Sequence, residues 1–148
     1  MIIFREAEID DVANIVQIMA SNDIGSKRED LANLEPYIGA FNEIRKSDNN
    51  YLIVMCDDTN VIGTFHLTIT PYLALQGSKR ATIESVHIDR SLRSGGFGTQ
   101  MMEYAINLAK EKGAKIVQLT TNKGRIDAKR FYEKLGFVAT HEGMKLKI

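Results

Sequence analysis

The chain has no tryptophan, one cysteine and two prolines among its 148 residues. A lone thiol, Cys56, cannot close an internal disulfide, so the stapled secreted scaffolds are excluded and a reducing cytoplasm is expected. Neither sign of charge is in excess. Nineteen Lys and Arg balance nineteen Asp and Glu, for a formal net charge of zero. That balance argues against a protein built to grip nucleic-acid backbones or anionic membranes. No apolar run approaches the ~20 residues of a membrane span. Residues 1–6 lack the basic start and long apolar stretch of a secretory signal. His66, His87 and His141 stand far apart with no second ligand at metal spacing, so no metal is expected. Repeats, low-complexity tracts and linkers are absent as well. With 44% apolar and 26% charged residues, the expectation is one soluble domain over 1–148.

What the chain does have is Val86 to Gly98 running into Thr99 to Lys112: a β-branched strand, a glycine-rich turn, then an amphipathic helix. Gly95, Gly96 and Gly98 allow φ > 0 and close approach to a ligand. Their free N–H groups fall at a helix start, where unpaired donors and the macrodipole favour an anion such as a diphosphate. The phosphate loop of nucleotide hydrolases needs a Lys-Ser/Thr pair after its last glycine, and Thr99-Gln100 stands there. The G-x-G-x-x-G dinucleotide spacing is not met either. What remains is Arg93-x-x-Gly96-x-Gly98, an arginine placed to meet phosphate as a bidentate partner. A turn of the same composition without any ligand is the competing reading of this motif alone.

Strands are expected at Ile2–Ala7, at Tyr51–Cys56 and Val61–Thr70 as a hairpin across 57–60, at Arg80–Ile88 and at Ile116–Thr121. Asp10 or Asp11 is expected to cap a helix whose apolar face is Val12, Ile15, Val16 and Met19. A second helix is expected at about 31–46, with Pro36 near its first turn. The helix after the glycines presents Met101, Ala105 and Leu108 and ends at Gly113. Ile126–Leu135 reads as a helix stopped by Gly136. Val138–His141 and Met144–Lys147 pattern as a closing hairpin. Hairpins first and crossovers later imply a mixed α/β sheet with helices on both faces.

The Arg-x-x-Gly-x-Gly turn resembles the acetyl-coenzyme A pyrophosphate loop of the GCN5-related N-acetyltransferases. Three further segments match that family in order: Ile3-Phe4-Arg5-Glu6-Ala7 with Ile9-Asp10-Asp11, Ile83 to Asp89, and Ala128 to Phe137 with its Leu-Gly-Phe end. The resemblance implies an acyl-CoA N-acyltransferase fold, a mostly antiparallel sheet of six to seven strands with about four helices. It implies acetyl-CoA as co-substrate and direct transfer to a primary amine in a ternary complex. Glu84 would be the general base, its pKa raised by partial burial, with a salt bridge to Arg80 or to a lysine on an adjacent strand as the plain alternative. Tyr132 would protonate the leaving thiolate. The amides of Val86 and Ile88, on a strand splayed from its neighbour, would polarise the thioester carbonyl. Cofactor contacts would come from Val86, His87, Ile88, Arg93, Ser94, Gly95, Gly96, Phe97, Gly98 and Thr99. The family's pantetheine-binding asparagine falls at Arg125 here; Asn122 is near enough to serve instead, or Arg125, Lys129 or Arg130 would reach the cofactor phosphates.

The acceptor region of the family maps to 21–30 and 71–78; Asp23, Glu29 and Asp30 in the first, with Glu35 beyond it, would draw a cationic amine or simply be solvated. Tyr37, Phe65 and Tyr72 are candidate walls, and a homodimer through the C-terminal strands is implied too. A non-catalytic acyl-CoA-binding sensor or partner module remains the alternative of another class.

Overall fold

The computed structural model describes residues 1–22 and 24–148. Five strands form one sheet in the order β1-β2-β3-β4-β5. These are β1 (Ile2–Glu6), β2 (Asn50–Asp57), β3 (Asn60–Thr70), β4 (Lys79–Ile88) and β5 (Ala114–Gln118). The first three pairings are antiparallel and β4–β5 is parallel. The helices are α1 (Val12–Ala20), α2 (Glu35–Lys46), α3 (Ala74–Gly77), α4 (Phe97–Glu111) and α5 (Ile126–Lys134).

Strand periodicity sorts side chains to two faces. On β3, Phe65, Leu67 and Ile69 alternate with Thr64, His66 and Thr68. The first set enters a core with Ile83 of β4 and Met101, Met102 and Ala105 of α4. Phe4 stacks on Tyr104 there at 4.3 Å between ring centroids. On the other face Val12, Ile15 and Val16 of α1 and Phe41 of α2 cover Val54 and Cys56. Burial pushes the Cys56 thiol up, away from thiolate.

Four expectations need correction. The sheet has five strands rather than six to seven, because 138–148 forms no strand among the described residues. Alternation at 144–148 supplies an apolar side, but α4 and α5 already close the core, and Met144 and Leu146 stay exposed. A fifth helix, α3, is a single turn with Leu75 and Gln76 left-handed, which no periodicity announces. Asp11 stands at the N-cap position of α1, as expected, but its side chain makes no capping hydrogen bond to the helix. A 3-10 turn at Ile9–Asp11 intervenes, and Asp11 turns inward, accepting the Glu8 N–H at 2.7 Å and both Arg5 terminal nitrogens at 2.7 and 3.0 Å. Those Arg5 hydrogen bonds hold its carboxyl below the usual range. Lastly, only Gly96 of the three loop glycines has positive φ (82°), while Ser94 takes the other left-handed position (68°). Gly95 and Gly98 are there for space: a Cβ would meet Phe97 at 3.1 Å and Phe131 at 3.3 Å respectively.

Candidate active site

Parallel pairing of β4 with β5 runs from Lys79 to Thr82 and stops there. From Ile83 onward β4 keeps β3 as a neighbour and has lost β5. The Asp89 N–H bonds Ile62 O on the β3 side at 2.8 Å. A strand alternates its amide directions, so those of Ile88 and Val86 point to the opposite side, into the opening left by β5. The register slips between Thr64 and His66, where Ser85 sits at φ 52° as the extra residue of a β-bulge. Gly63, opposite Ile88, makes room for this, since a Cβ there would lie 2.5 Å from Met101 Cε and 2.8 Å from Ile88 Cδ1.

The opening leads to the start of α4. Arg93, Ser94, Gly95 and Gly96 are exposed, and Thr99 just beyond them is exposed too. Gly96 is the left-handed N-cap and no side chain among the described residues caps the helix. The first α4 amides therefore have no intrahelical acceptor, and a built Cβ on Gly96 meets nothing within 4 Å. Such a cradle fits a diphosphate. Asp89, nearby, is spent on the preceding turn: it accepts from Ser91 N and Oγ, which holds its carboxyl below the usual range.

Tyr132 lies on the same side, packed edge-on against Phe131 (5.2 Å) and Phe137 (6.0 Å). Burial pushes its phenol up, with the Arg125 charge opposing, so it stays protonated at neutral pH. His87 is pushed down to about 4, by burial first and then by the charges of Arg125, Arg28 and Arg93. It is a neutral ring, with Asn22 Nδ2 3.4 Å from its Nδ1. Three arginines thus bear on one end of β4. Arg125 precedes α5. The Gly124 N–H donates to Asn122 Oδ1 at 2.9 Å, so the loop occupies that acceptor.

Glu84 points to the other face of the sheet from Ile83, the side covered by α1 and α2. It is exposed, which corrects the expected partial burial. No ion pair holds it among the described residues, and Arg80 lies instead over the Tyr72 ring at 4.3 Å. Phe65 is fully buried on the α4 side and is not a pocket wall. Tyr37 is one. With Met19, Phe41, Leu52, Thr64, His66 and Ser85 it lines a cavity of about 160 Å³ between the helices and the bulge. Its hydroxyl donates to Glu29 at 3.2 Å and accepts from the Asp30 N–H at 2.8 Å. Those two acids therefore belong to loop structure. Asp23 lies outside the described residues.

Asn50 and Ser85 escaped the sequence reading, which weighed His66 only as a metal ligand. Its one available signal was the run Thr64, His66, Thr68 alternating with the core residues of β3, a polar stripe facing Glu84.

Three known proteins bear on this arrangement. A solved structure described as a transcriptional regulator from Bacillus halodurans is 45% identical, with a TM-score of 0.94 covering 100% of both chains. An uncharacterized N-acetyltransferase of Methanocaldococcus jannaschii is 40% identical over 60 residues, 38% of this chain and 25% of that protein. The glucosamine 6-phosphate N-acetyltransferase of Trypanosoma brucei brucei is 31% identical over 88 residues, 60% of this chain and 58% of that one. The chain thus spans about a quarter and somewhat over half of those two curated relatives. Residues 15–137 match the acetyltransferase (GNAT) family. The match takes in the bulged strand, the glycine turn and the Tyr132 helix together, and the chain belongs to that family.

Proposed function

We propose that the protein is an acetyl-CoA-dependent N-acetyltransferase that acts on a primary amine of a small molecule, by direct transfer in a ternary complex. The observation that carries this reading is the parting of β4 from β5 beyond Thr82, beside the uncapped N-terminus of α4. The cofactor supplies a thioester carbonyl and a thiolate leaving group. In this reading the α4 amides at Phe97, Gly98 and Thr99, with Arg93, hold the diphosphate. The Val86 and Ile88 amides hold the pantetheine and the carbonyl oxygen, where oriented donors are a large catalytic contribution. Ser94, Gly95 and Gly96 shape the loop, while His87 and Arg125 flank it. Tyr132 gives its proton to the thiolate, and Glu84 draws the ammonium. Cys56, buried and held as a thiol, is not an acyl carrier.

A phosphorylated amino sugar is the first acceptor to try. One relative acts on glucosamine 6-phosphate by its name, and Arg28 and Arg125 give the same end of β4 a cationic field. Isothermal titration of the protein with acetyl-CoA, followed by thiol release with glucosamine 6-phosphate, alkylamines, amino acids and polyamines, tests the proposal. Micromolar binding plus release with one amine class is expected. Absence of binding overturns it. Binding without release across the whole panel favours the second reading, a non-catalytic acyl-CoA sensor, which the regulator description of the 45% identical structure supports.

A homodimer is part of the same proposal. Val138, Met144 and Leu146 expose 77, 94 and 88% of their surface, apolar side chains that a second copy would cover. Sedimentation at micromolar concentration should give twice the 16.6 kDa chain mass, and a chain ending at 137 should sediment as a monomer. A monomeric full chain rules the dimer out.

A further inference from the structure

The side of the sheet that carries Glu84 holds a second ionisable group, better shielded from water. His66 is the direct cross-strand partner of Glu84 and lines the cavity beside Ser85, Tyr37 and Met19. Its ring is held in one tautomer by a chain of hydrogen bonds. Asn50 Nδ2 donates to Ser47 Oγ at 2.9 Å, which leaves Asn50 Oδ1 as acceptor. That oxygen receives Thr68 Oγ1 at 3.2 Å and His66 Nε2 at 2.8 Å. A carbonyl oxygen only accepts, so the proton of the neutral ring is on Nε2 and the lone pair is on Nδ1. Among the described residues Nδ1 has no hydrogen-bond partner.

We propose that His66 Nδ1 takes the proton of the acceptor ammonium in this cavity, with Asn50 fixing the tautomer and Glu84 stabilising the imidazolium that forms. The proposal rests on the acetyl-transfer reading above and moves the base from the exposed carboxylate to the imidazole behind it. The Glu84 carboxylate is exposed and in contact with water, whereas the imidazole behind it is partly shielded. Burial pushes His66 below the ordinary imidazole value, and the Glu84 charge opposes that shift. The ring is therefore a free base at neutral pH, beside the negative charge its conjugate acid needs. Tyr37 on α2 is the other titratable group at the cavity. Val12, Ile15, Val16 and Met19 of α1, and Leu52 of β2, bring no charge to it.

The step balances as follows. The ammonium gives one proton to Nδ1, and the free amine attacks the thioester carbon. The N–C bond forms and the C–S bond breaks, a second proton from nitrogen neutralises the thiolate by way of Tyr132, and the imidazolium returns its proton to water past Glu84.

Two arms test this on the full chain. Imidazole ¹⁵N NMR of the free protein should show His66 as the Nε2–H form at pH 7, titrating below 6.5; Glu84→Gln should move the midpoint lower still. An Nδ1–H ring, or a midpoint that ignores Glu84→Gln, overturns the proposal. The second arm uses acetyl-CoA with glucosamine 6-phosphate or the best amine of the panel. His66→Gln should lower kcat/KM by about 100-fold and erase the acid limb of its pH profile, with the cofactor Kd unchanged. Added imidazole should restore part of the rate to His66→Ala. A His66→Gln enzyme with the wild-type rate and limb overturns the role. A wild type that binds acetyl-CoA and acetylates nothing removes acetyl transfer itself, and His66 catalysis with it.

Discussion

Gly96→Glu should weaken acetyl-CoA binding by at least about 100-fold, or ~2.8 kcal/mol at 1.4 kcal/mol per tenfold. Two effects add. Residue 96 sits at φ 82°, a left-handed position that costs an ordinary side chain roughly 1–2 kcal/mol. The new carboxylate also extends over the α4 amides that this reading reserves for diphosphate, where it competes for the donors and repels the ligand. The fold has room for the side chain, because a Cβ at 96 meets nothing within 4 Å. The loss should therefore come without collapse of the protein. Gly96→Asn separates the two effects, since asparagine tolerates left-handed backbone and carries no charge. Titration calorimetry on both variants should find the asparagine protein within roughly tenfold of wild type by the same conversion. An unchanged Kd for the glutamate variant would take the diphosphate away from this turn.

Phe65→Ala is the largest expected stability change. Phe65 is fully buried and meets the Tyr104 ring edge-on at 6.4 Å. It also occupies the β3 position that faces the bulge, between Thr64 and His66, where the register with β4 slips. Emptying it should cost about 4 kcal/mol, transfer loss plus a cavity that β4 and α4 cannot close. At ~2–4 °C per kcal/mol for a chain of this size, the melting point should drop by roughly 8–16 °C. Phe65→Leu should lose much less, because it keeps most of the volume. Urea unfolding monitored by circular dichroism reads both variants. A midpoint within error of wild type for the alanine variant would mean that this core relaxes where the packing says it cannot.

Much of this was legible from neighbouring letters. The face Val12, Ile15, Val16 and Met19 declares α1, and the two-residue turn in 57–60 declares the β2–β3 hairpin, where Asp58 takes φ 52°. The glycine turn and the start of α4 also stand where the sequence puts them, because capping and turn chemistry act within a few residues. Glu84 and His66 show the limit. Period two says that both leave the Phe65 face, but not that water reaches one while α1 and α2 shield the other. The contacts that set the histidines, Asn50 to His66 and Asn22 to His87, are 16 and 65 positions apart. No local window sees them. The left-handed Ser85 was equally hidden, since serine has no particular preference for that conformation. The tail failed for a related reason: alternation marks an apolar side without saying what, if anything, lies against it.

The bulge on β4 has one more consequence, for how this protein can drift in sequence. The donors proposed to polarise the thioester belong to the main chain of residues 86 and 88, so they remain whatever side chains those positions carry. What must persist is indirect: a residue at 85 that accepts left-handed backbone, and a glycine at 63, where any Cβ would strike Met101 and Ile88. Positions that read as dispensable spacers would then be under tighter constraint than the strand residues whose amides are proposed to hold the thioester. A comparison of letters at 86 and 88 alone would misjudge where the activity is inherited.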